Sequence, residues 1–557
     1  MLVHPGRPFS GVVVFTTLLM SAAPPPGARA QSAGLNSITI EEMKLPTRFL
    51  SSPLFRGRNV PSPELEIAAE YLALRAGEIG LEPVLPDGSF FQEIPLEVSR
   101  VASATSALTV TAGASSQRFF HPGSFGVRGR FIAGGAGVGE IVFLGLGARA
   151  PEAGWDDFEG MDLGGKIVVV LDGQLPGDHP LNQPALRRGL ARRTTQLARE
   201  RGATGVLTVI PPAREAALAL GRLSFDDVER GWPQGTEVGL GGAAAPALFA
   251  IDLRHDAGAA ILGVSRKELD AMFGELAQGR RVAPREIPGR RLEVTVDLSV
   301  RSDLTRNVIG VVRGSDPALR DEYVVIGGHH DGIGYQEGMV RPGADDNVSG
   351  AVAMLELAEA MLLEGPRRSV IFAWFTGEEK GLYGAYFFAT HSPVPLEKIS
   401  AMVNLDMLSR NDPGSIYVIG SNKLSSQLDG ALNQLAGHPE VGLRLDYTFE
   451  DPRHPDRFFV RSDQYPFIRH GIPAVWLFSG TTPDYHQATD TEERMDYGKM
   501  LKVTRLAFLT AWEVANRPSL LELDLDPRVT TRGNHNTTVD WMQPAPPRGS
   551  TPAPVGR

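Results

Sequence analysis

The chain has 557 residues, 42% of them apolar and 22% charged, and a formal net charge of −10. That length exceeds one ordinary core and the composition is normal for a folded protein, so two domains with tails are expected. An acidic balance without a Lys/Arg block argues against nucleic acid as a partner. A cysteine count of 0 excludes disulfide scaffolds, Cys-based zinc sites and thiol nucleophiles, leaving any metal to His, Asp and Glu.

In chain order, residues 1–30 read as a signal peptide: Arg7 supplies the positive n-region, Gly11 to Ala22 is a short apolar run, and Ala28-Arg29-Ala30 is a small-x-small cleavage site. Cleavage there makes Gln31 the mature N-terminus. The apolar run is too short for a membrane core needing about 20 residues, so an exported protein, periplasmic or extracellular and free of the membrane after cleavage, is expected. Its oligomeric state stays open. Residues 31–119 are expected to begin the main domain. Ser62-Pro63 with Glu64 and Glu66 has the pattern of a helix start, with Ser as N-cap, Pro at the first helical position and acids in the first turn, and the helix should end near Gly77 or Gly80.

From 120 to 288 short apolar runs (Glu140 to Leu144, Lys166 to Leu171, Gly205 to Ile210, Ala245 to Ile251) alternate with Gly- and Pro-rich turns, the pattern of a β-rich accessory module. Residues 289–517 alternate strands with helices. Tyr323 to Gly328, Ser369 to Phe375, Ala401 to Leu405 and Ala474 to Phe478 are nearly continuous apolar runs, as parallel strands buried on both faces require. Val348 to Leu363 is helix-length, with Asn347 or Ser349 available as N-cap. The plan is an α/β fold, a doubly wound sheet flanked by helices and interrupted by the β-rich module. From 518 to 557 the chain becomes a Pro-rich tail.

Five polar clusters fall at the ends of these strands or at the following helix: His329-His330-Asp331, Asp345-Asp346-Asn347, Glu378-Glu379, Asn404-Leu405-Asp406 and Asp484-Tyr485-His486. Each alone is a common surface pair, turn or cap. Together they share one register at the carboxyl ends of strands, where open α/β sheets bind ligands. Carboxylates facing an apolar core are costly unless paired or metal-bound, and a metal pair would draw several together. Two zinc ions about 3.5–4 Å apart need a bridging carboxylate and His or carboxylate on each side. A further carboxylate must stay off the metals to move a proton, and adjacent glutamates can divide those roles.

In this order GGHHD, PGADDNVSG, TGEEKGLYG, NLDM, RSDQYPF and PDYHQATDT closely resemble the co-catalytic di-zinc aminopeptidase family of zinc exopeptidases, which also contains glutamate carboxypeptidase and the transferrin receptor ectodomain. The resemblance is dense over 306–515 and loose over 45–110. DLGGKIVVVLDG and ARERGATGVLTVI resemble the protease-associated domain inserted in this family. The resemblance implies a zinc-exopeptidase fold and peptide substrates. It implies Asp346 as the bridging ligand, His329 and Asp406 on one zinc, Glu379 and His486 on the other, and Glu378 as general base. It also implies that Asp331 orients His329 and that Tyr485 stabilises the tetrahedral intermediate.

Two departures are visible. His330-Asp331-Gly332 stands where relatives often read YDH, and Ser462-Asp463-Gln464 where they often read SDH; neither position carries a ligand in the family pattern. His330 therefore reads as structural rather than as a third imidazole ligand. A carboxypeptidase on the same scaffold and a non-catalytic receptor-like binding protein are the rivals, the latter disfavoured because all five ligand positions are kept. A glutaminyl cyclase shares the fold on a shorter chain. Which chain end is cut turns on charge at the mouth, where Glu337, Arg341, Arg410 and Arg461 are candidates.

Overall fold

A computed structural model describes residues 33–127, 134–182, 190–219, 230–233, 249–336, 338–534 and 539–541. The expected signal peptide and Glu337 lie outside them. The main sheet is built from β1 (Phe91–Val101), β2 (Leu298–Val312), β3 (Tyr323–His329), β4 (Ser369–Phe375), β5 (Ile399–Leu405), β6 (Ser415–Ile419) and β7 (Ala474–Phe478). Their order across it is β1-β2-β4-β3-β5-β7-β6, with Arg230–Pro233 added beside β1 and Arg444–Asp446 beside β6. The four strands expected from apolar runs are its centre. β4, β3, β5 and β7 are mutually parallel neighbours, and every residue in them is buried. β2 runs antiparallel to β1 and β4, and β6 antiparallel to β7, which makes the sheet mixed.

Helices cover both faces of the sheet's centre, which is why its four parallel strands need no polar side. One face packs helices Ile40–Leu50 and Pro63–Ile79 with α1 (Gly350–Glu364) and α2 (Tyr497–Asn516). The other packs Tyr383–Thr390 and Gln464–Arg469. The helix expected after Ser62 forms as read: the Ser62 hydroxyl accepts the Leu65 N–H at 3.1 Å, and Gly80 closes the helix at φ 107°. α1 begins two residues later than expected, and Ser349 is not its side-chain cap. The Ser349 hydroxyl donates instead to the Asp345 carbonyl at 2.6 Å, while the Asn347 side-chain oxygen accepts the Gly350 N–H at 3.0 Å.

A second sheet of eight strands has its own core and is entered from β1 and left into β2. It takes in Ala107–Ala112 and Ser115–Phe120, ahead of residue 120, because Ala107–Ala112 pairs with Leu292 and its neighbours in Arg285–Val296. Helices Leu190–Glu200, His255–Leu262 and Arg266–Ala277 pack with it. The stretch from 518, expected as a tail, is docked where it is described: Leu521, Val529 and Trp541 are buried in the main domain, apolar side chains that the Pro-rich composition conceals.

From β3 the chain passes through α1 to β4 on one side, then returns to β5 on the other side of β3. Crossovers leaving in opposite directions open a crevice beyond the carboxyl ends of β3 and β5.

Candidate metal centre

The polar clusters converge on that crevice. His329 ends β3, Glu378 and Glu379 follow β4, and Asp406 follows β5. Asp346 lies in the turn entering α1, and His486 in the loop after β7. Gly377 makes the sharp turn after β4 at φ 69°, and a Cβ there would meet the Tyr383 ring at 2.8 Å. Met407 and His486 are non-glycine residues with φ of 62° and 59°, backbone strain of the kind that collects at functional sites.

Two groups of three share Asp346: His329, Asp346 and Asp406, and Asp346, Glu379 and His486. His329 Nε2 lies 3.4 Å from Asp346 Oδ1 and 3.4 Å from Asp406 Oδ1. His486 Nε2 lies 2.9 Å from Asp346 Oδ2 and 3.2 Å from Glu379 Oε2. His329 Nε2, Asp406 Oδ1 and His486 Nε2 are buried without a hydrogen bond, although His329 faces Asp346 and Asp406, and His486 faces Asp346 and Glu379. Buried donor atoms aimed at one another fit divalent cations, and an imidazole–carboxylate set without thiolate suits zinc.

The surroundings hold these groups in place. The Asp331 carboxylate accepts the Glu378 and Glu379 N–H groups at 3.0 and 3.4 Å and lies 3.5 Å from His329 Nδ1. It therefore ties the end of β3 to the end of β4. The Ser462 hydroxyl donates to Asp406 Oδ2 at 2.6 Å and accepts from Asn404 at 2.7 Å. Burial disfavours the charged form of His329, but Asp406, Glu378, Asp331 and Asp346 outweigh it and raise its basicity well above the ordinary value. His486 is pushed up to about 10: burial opposes the shift, and the Glu379 and Asp346 carboxylates overcome it. Burial, with Glu379 and Asp406 adding to it, raises the Glu378 carboxyl well above the usual range. Its Oε2 stands 4.0 Å from His329 Nε2.

His329, Asp331, Asp346, Glu378, Glu379, Asp406, Tyr485 and His486 are therefore brought to this crevice or its rim. Tyr485 stacks on His486 with ring centroids 3.7 Å apart, and its hydroxyl accepts a hydrogen bond from Arg461 at 2.9 Å. His330 joins neither group: it is fully buried, its ring nitrogens make no hydrogen bond, and burial lowers its basicity to about 4. Of the described basic candidates, Arg410 pairs with Asp490 at 2.8 Å and Arg341 donates to the His486 carbonyl. Arg461 lines the cleft beside the acidic groups, together with Met407, Phe458, Trp476, Phe478 and Tyr485.

Two contributors carried no signal strong enough to assign from sequence. The Asp490 carboxylate accepts the backbone N–H groups of Asp345 and Asp346 at 3.2 and 3.1 Å, fixing the turn that presents Asp346. In the sequence it is only the single acid of HQATDT. Asn347, read as a cap, also donates to the Leu405 and His329 carbonyls at 2.9 and 3.3 Å, joining β3, β5 and α1.

Residues 307–511 match the sequence profile of Peptidase family M28. Leucine aminopeptidase 2 of Arthroderma otae is 27% identical over 329 residues, 52% of this chain and 59% of that one. Probable leucine aminopeptidase 2 of Aspergillus fumigatus is 31% identical over 207 residues, 36% of this chain and 37% of that one. The chain thus spans 59% of the length of the first of these relatives. Among solved structures, an aminopeptidase from Aneurinibacillus sp. strain AM-1 aligns with a TM-score of 0.50 at 21% identity, covering 90% of this chain and all of that one (100%). A zinc aminopeptidase from Bacillus subtilis aligns with a TM-score of 0.52 at 16% identity, covering 88% of this chain and 99% of that one. At these identities the structures establish the fold alone.

Proposed function

Taking residues 307–511 as a Peptidase family M28 domain, we propose that the chain is an exported two-zinc aminopeptidase that removes N-terminal residues from peptides. The observation that carries this reading is the pair of three-residue groups sharing Asp346 in a cleft with an apolar wall. His329 and Asp406 would hold one zinc, Glu379 and His486 the other, and Asp346 would bridge them. Zinc bound there supplies Lewis acidity toward a peptide carbonyl and toward the attacking water. Glu378 takes the proton from that water and delivers it to the leaving amine, the task its buried position beside two ligand residues suits. Asp331 keeps His329 and the 378–379 backbone in register through the contacts described above. Because the Tyr485 oxygen accepts from Arg461, its own proton is free to point toward developing negative charge. Met407, Phe458, Trp476 and Phe478 favour an apolar N-terminal side chain. In this reading the second sheet is an inserted protease-associated domain.

Arg461 supports one alternative, a carboxypeptidase in which its guanidinium holds the substrate's terminal carboxylate. Purified protein should contain close to two zinc ions per chain, lose activity to a chelator, and regain it with zinc. It should cleave amino-acid anilides and peptides with a free N-terminus, and acetylation of that amine should abolish cleavage. Cleavage of acetylated peptides with a free C-terminus, with the anilides left intact, would replace this reading with the carboxypeptidase.

A further inference from the structure

Arg58 lies outside the matched peptidase segment, more than 270 positions before His330. Its side chain is fully buried, 1% exposed, yet none of its hydrogen bonds goes to a carboxylate. Nε donates to the His330 carbonyl at 3.0 Å, Nη1 to the Leu50 and Pro342 carbonyls at 2.8 Å each, and Nη2 to the Gly343 carbonyl at 3.2 Å. One guanidinium thus joins the end of helix Ile40–Leu50, the residue after His329, and the turn leading to Asp346. The backbone returns the connection: Gly332 donates its N–H to the Arg58 carbonyl at 3.0 Å.

The conformation needed for this is demanding. Arg56, Gly57 and Arg58 have φ of 45°, 74° and 52°, three successive residues in the left-handed region, two of them with side chains that disfavour it. A Cβ on Gly57 would stand 2.4 Å from the Arg341 carbonyl and 2.7 Å from that of Gly334, so this turn is seated directly on the loop between His329 and Asp346. Burial lowers the guanidinium only to about 10, so it remains charged at neutral pH. Asp331, Asp346, Glu379 and Asp490 supply the compensating field without touching it. A fixed, desolvated cation with its fork of donors satisfied by rigid carbonyls is what Arg can provide and Lys cannot.

We infer that Arg58 is a positioning residue of the metal centre, holding the loops that present His329 and Asp346 at the spacing two cations require. The N-terminal segment then belongs to the site rather than flanking it. This rests on the two-zinc reading above.

The test compares the full-length wild-type protein with Arg58→Met and Arg58→Lys. Zinc affinity is measured by competition with a chromogenic chelator, and folding by circular dichroism. With the fold intact, zinc affinity should fall 10- to 100-fold in R58M, as loss of support around metal ligands does elsewhere. kcat at limiting zinc should fall with it while KM holds, and excess zinc should restore part of the rate. R58K should fall between R58M and wild type. Should both variants fail to fold, amide exchange in the wild type decides: chelation should accelerate exchange at Gly332 and at 55–58 together with Asp345 and Asp346. A folded R58M binding zinc as tightly as wild type, or 55–58 indifferent to chelation while 345–346 loosen, overturns the inference. Wild type that takes up no zinc overturns the two-zinc reading itself.

Discussion

Glu378 and Glu379 are neighbours in sequence, and their carboxylates face different partners. Glu379 Oε2 lies 3.2 Å from His486 Nε2 and belongs to a metal-competent group. Glu378 belongs to neither group, and its nearest basic atom, His329 Nε2, is 4.0 Å away. Glu378→Gln should therefore keep the fold and both metals while kcat falls by roughly 10²–10⁴, the usual contribution of a general base. Glu379→Ala should lower metal content and lose activity through that. Zinc stoichiometry measured beside kcat separates the two. Metal lost equally from both variants would mean that the division of roles is wrong. The residue scale is also where the sequence was most legible. Each of these acids and histidines follows an apolar strand, so its position at a carboxyl end could be read from pattern alone. Asp490 could not be read so, because its contacts to the site are two backbone amides some 145 residues away in sequence.

At the scale of elements, α1 is a nearly all-apolar helix that still buries two acids, Glu356 and Glu364. Glu356, on the turn facing the N-terminal segment, accepts the Thr39 N–H at 3.2 Å and is buried. Burial raises its carboxyl from 4.5 to about 7, with Glu42 and Glu359 adding to the shift against the Thr39 hydrogen bond. A folded-state value above the unfolded one means that the native protein binds the proton more tightly. The stability this contributes is complete below about 4.5 and is lost as pH rises through about 7. Glu356→Gln keeps an acceptor for Thr39 and carries no charge. Its urea midpoint should exceed that of wild type at pH 8, and the difference should close on acidification toward pH 4. A difference unchanged across that range would show that the carboxyl titrates normally. The helix start after Ser62 was readable because capping is local. The start of α1 was not, since Ser349 is drawn to the Asp345 carbonyl by the same turn that presents Asp346.

Across the whole molecule, the main domain and the second sheet keep separate cores, and the residues of both metal-competent groups come from the main domain alone. Among the described residues no helix is long and apolar enough to cross a membrane. The proposal of export stands on Arg7, the apolar run from Gly11 and the Ala28-Arg29-Ala30 step. Mass or N-terminal analysis of protein recovered outside the cytoplasm should find a start at Gln31; an intact Met1 there would refute it. By itself the sequence determined the four central strands, the helix between the first two and the polar clusters at their ends, because burial on both faces writes an unbroken apolar run and polar residues interrupt it. Tertiary structure alone decided which side of β3 each strand takes, and so where the crevice opens. It also decided that Arg58 and Asp490 serve the site, since both act by hydrogen bonds to main-chain groups, which any residue can offer and no side-chain pattern records.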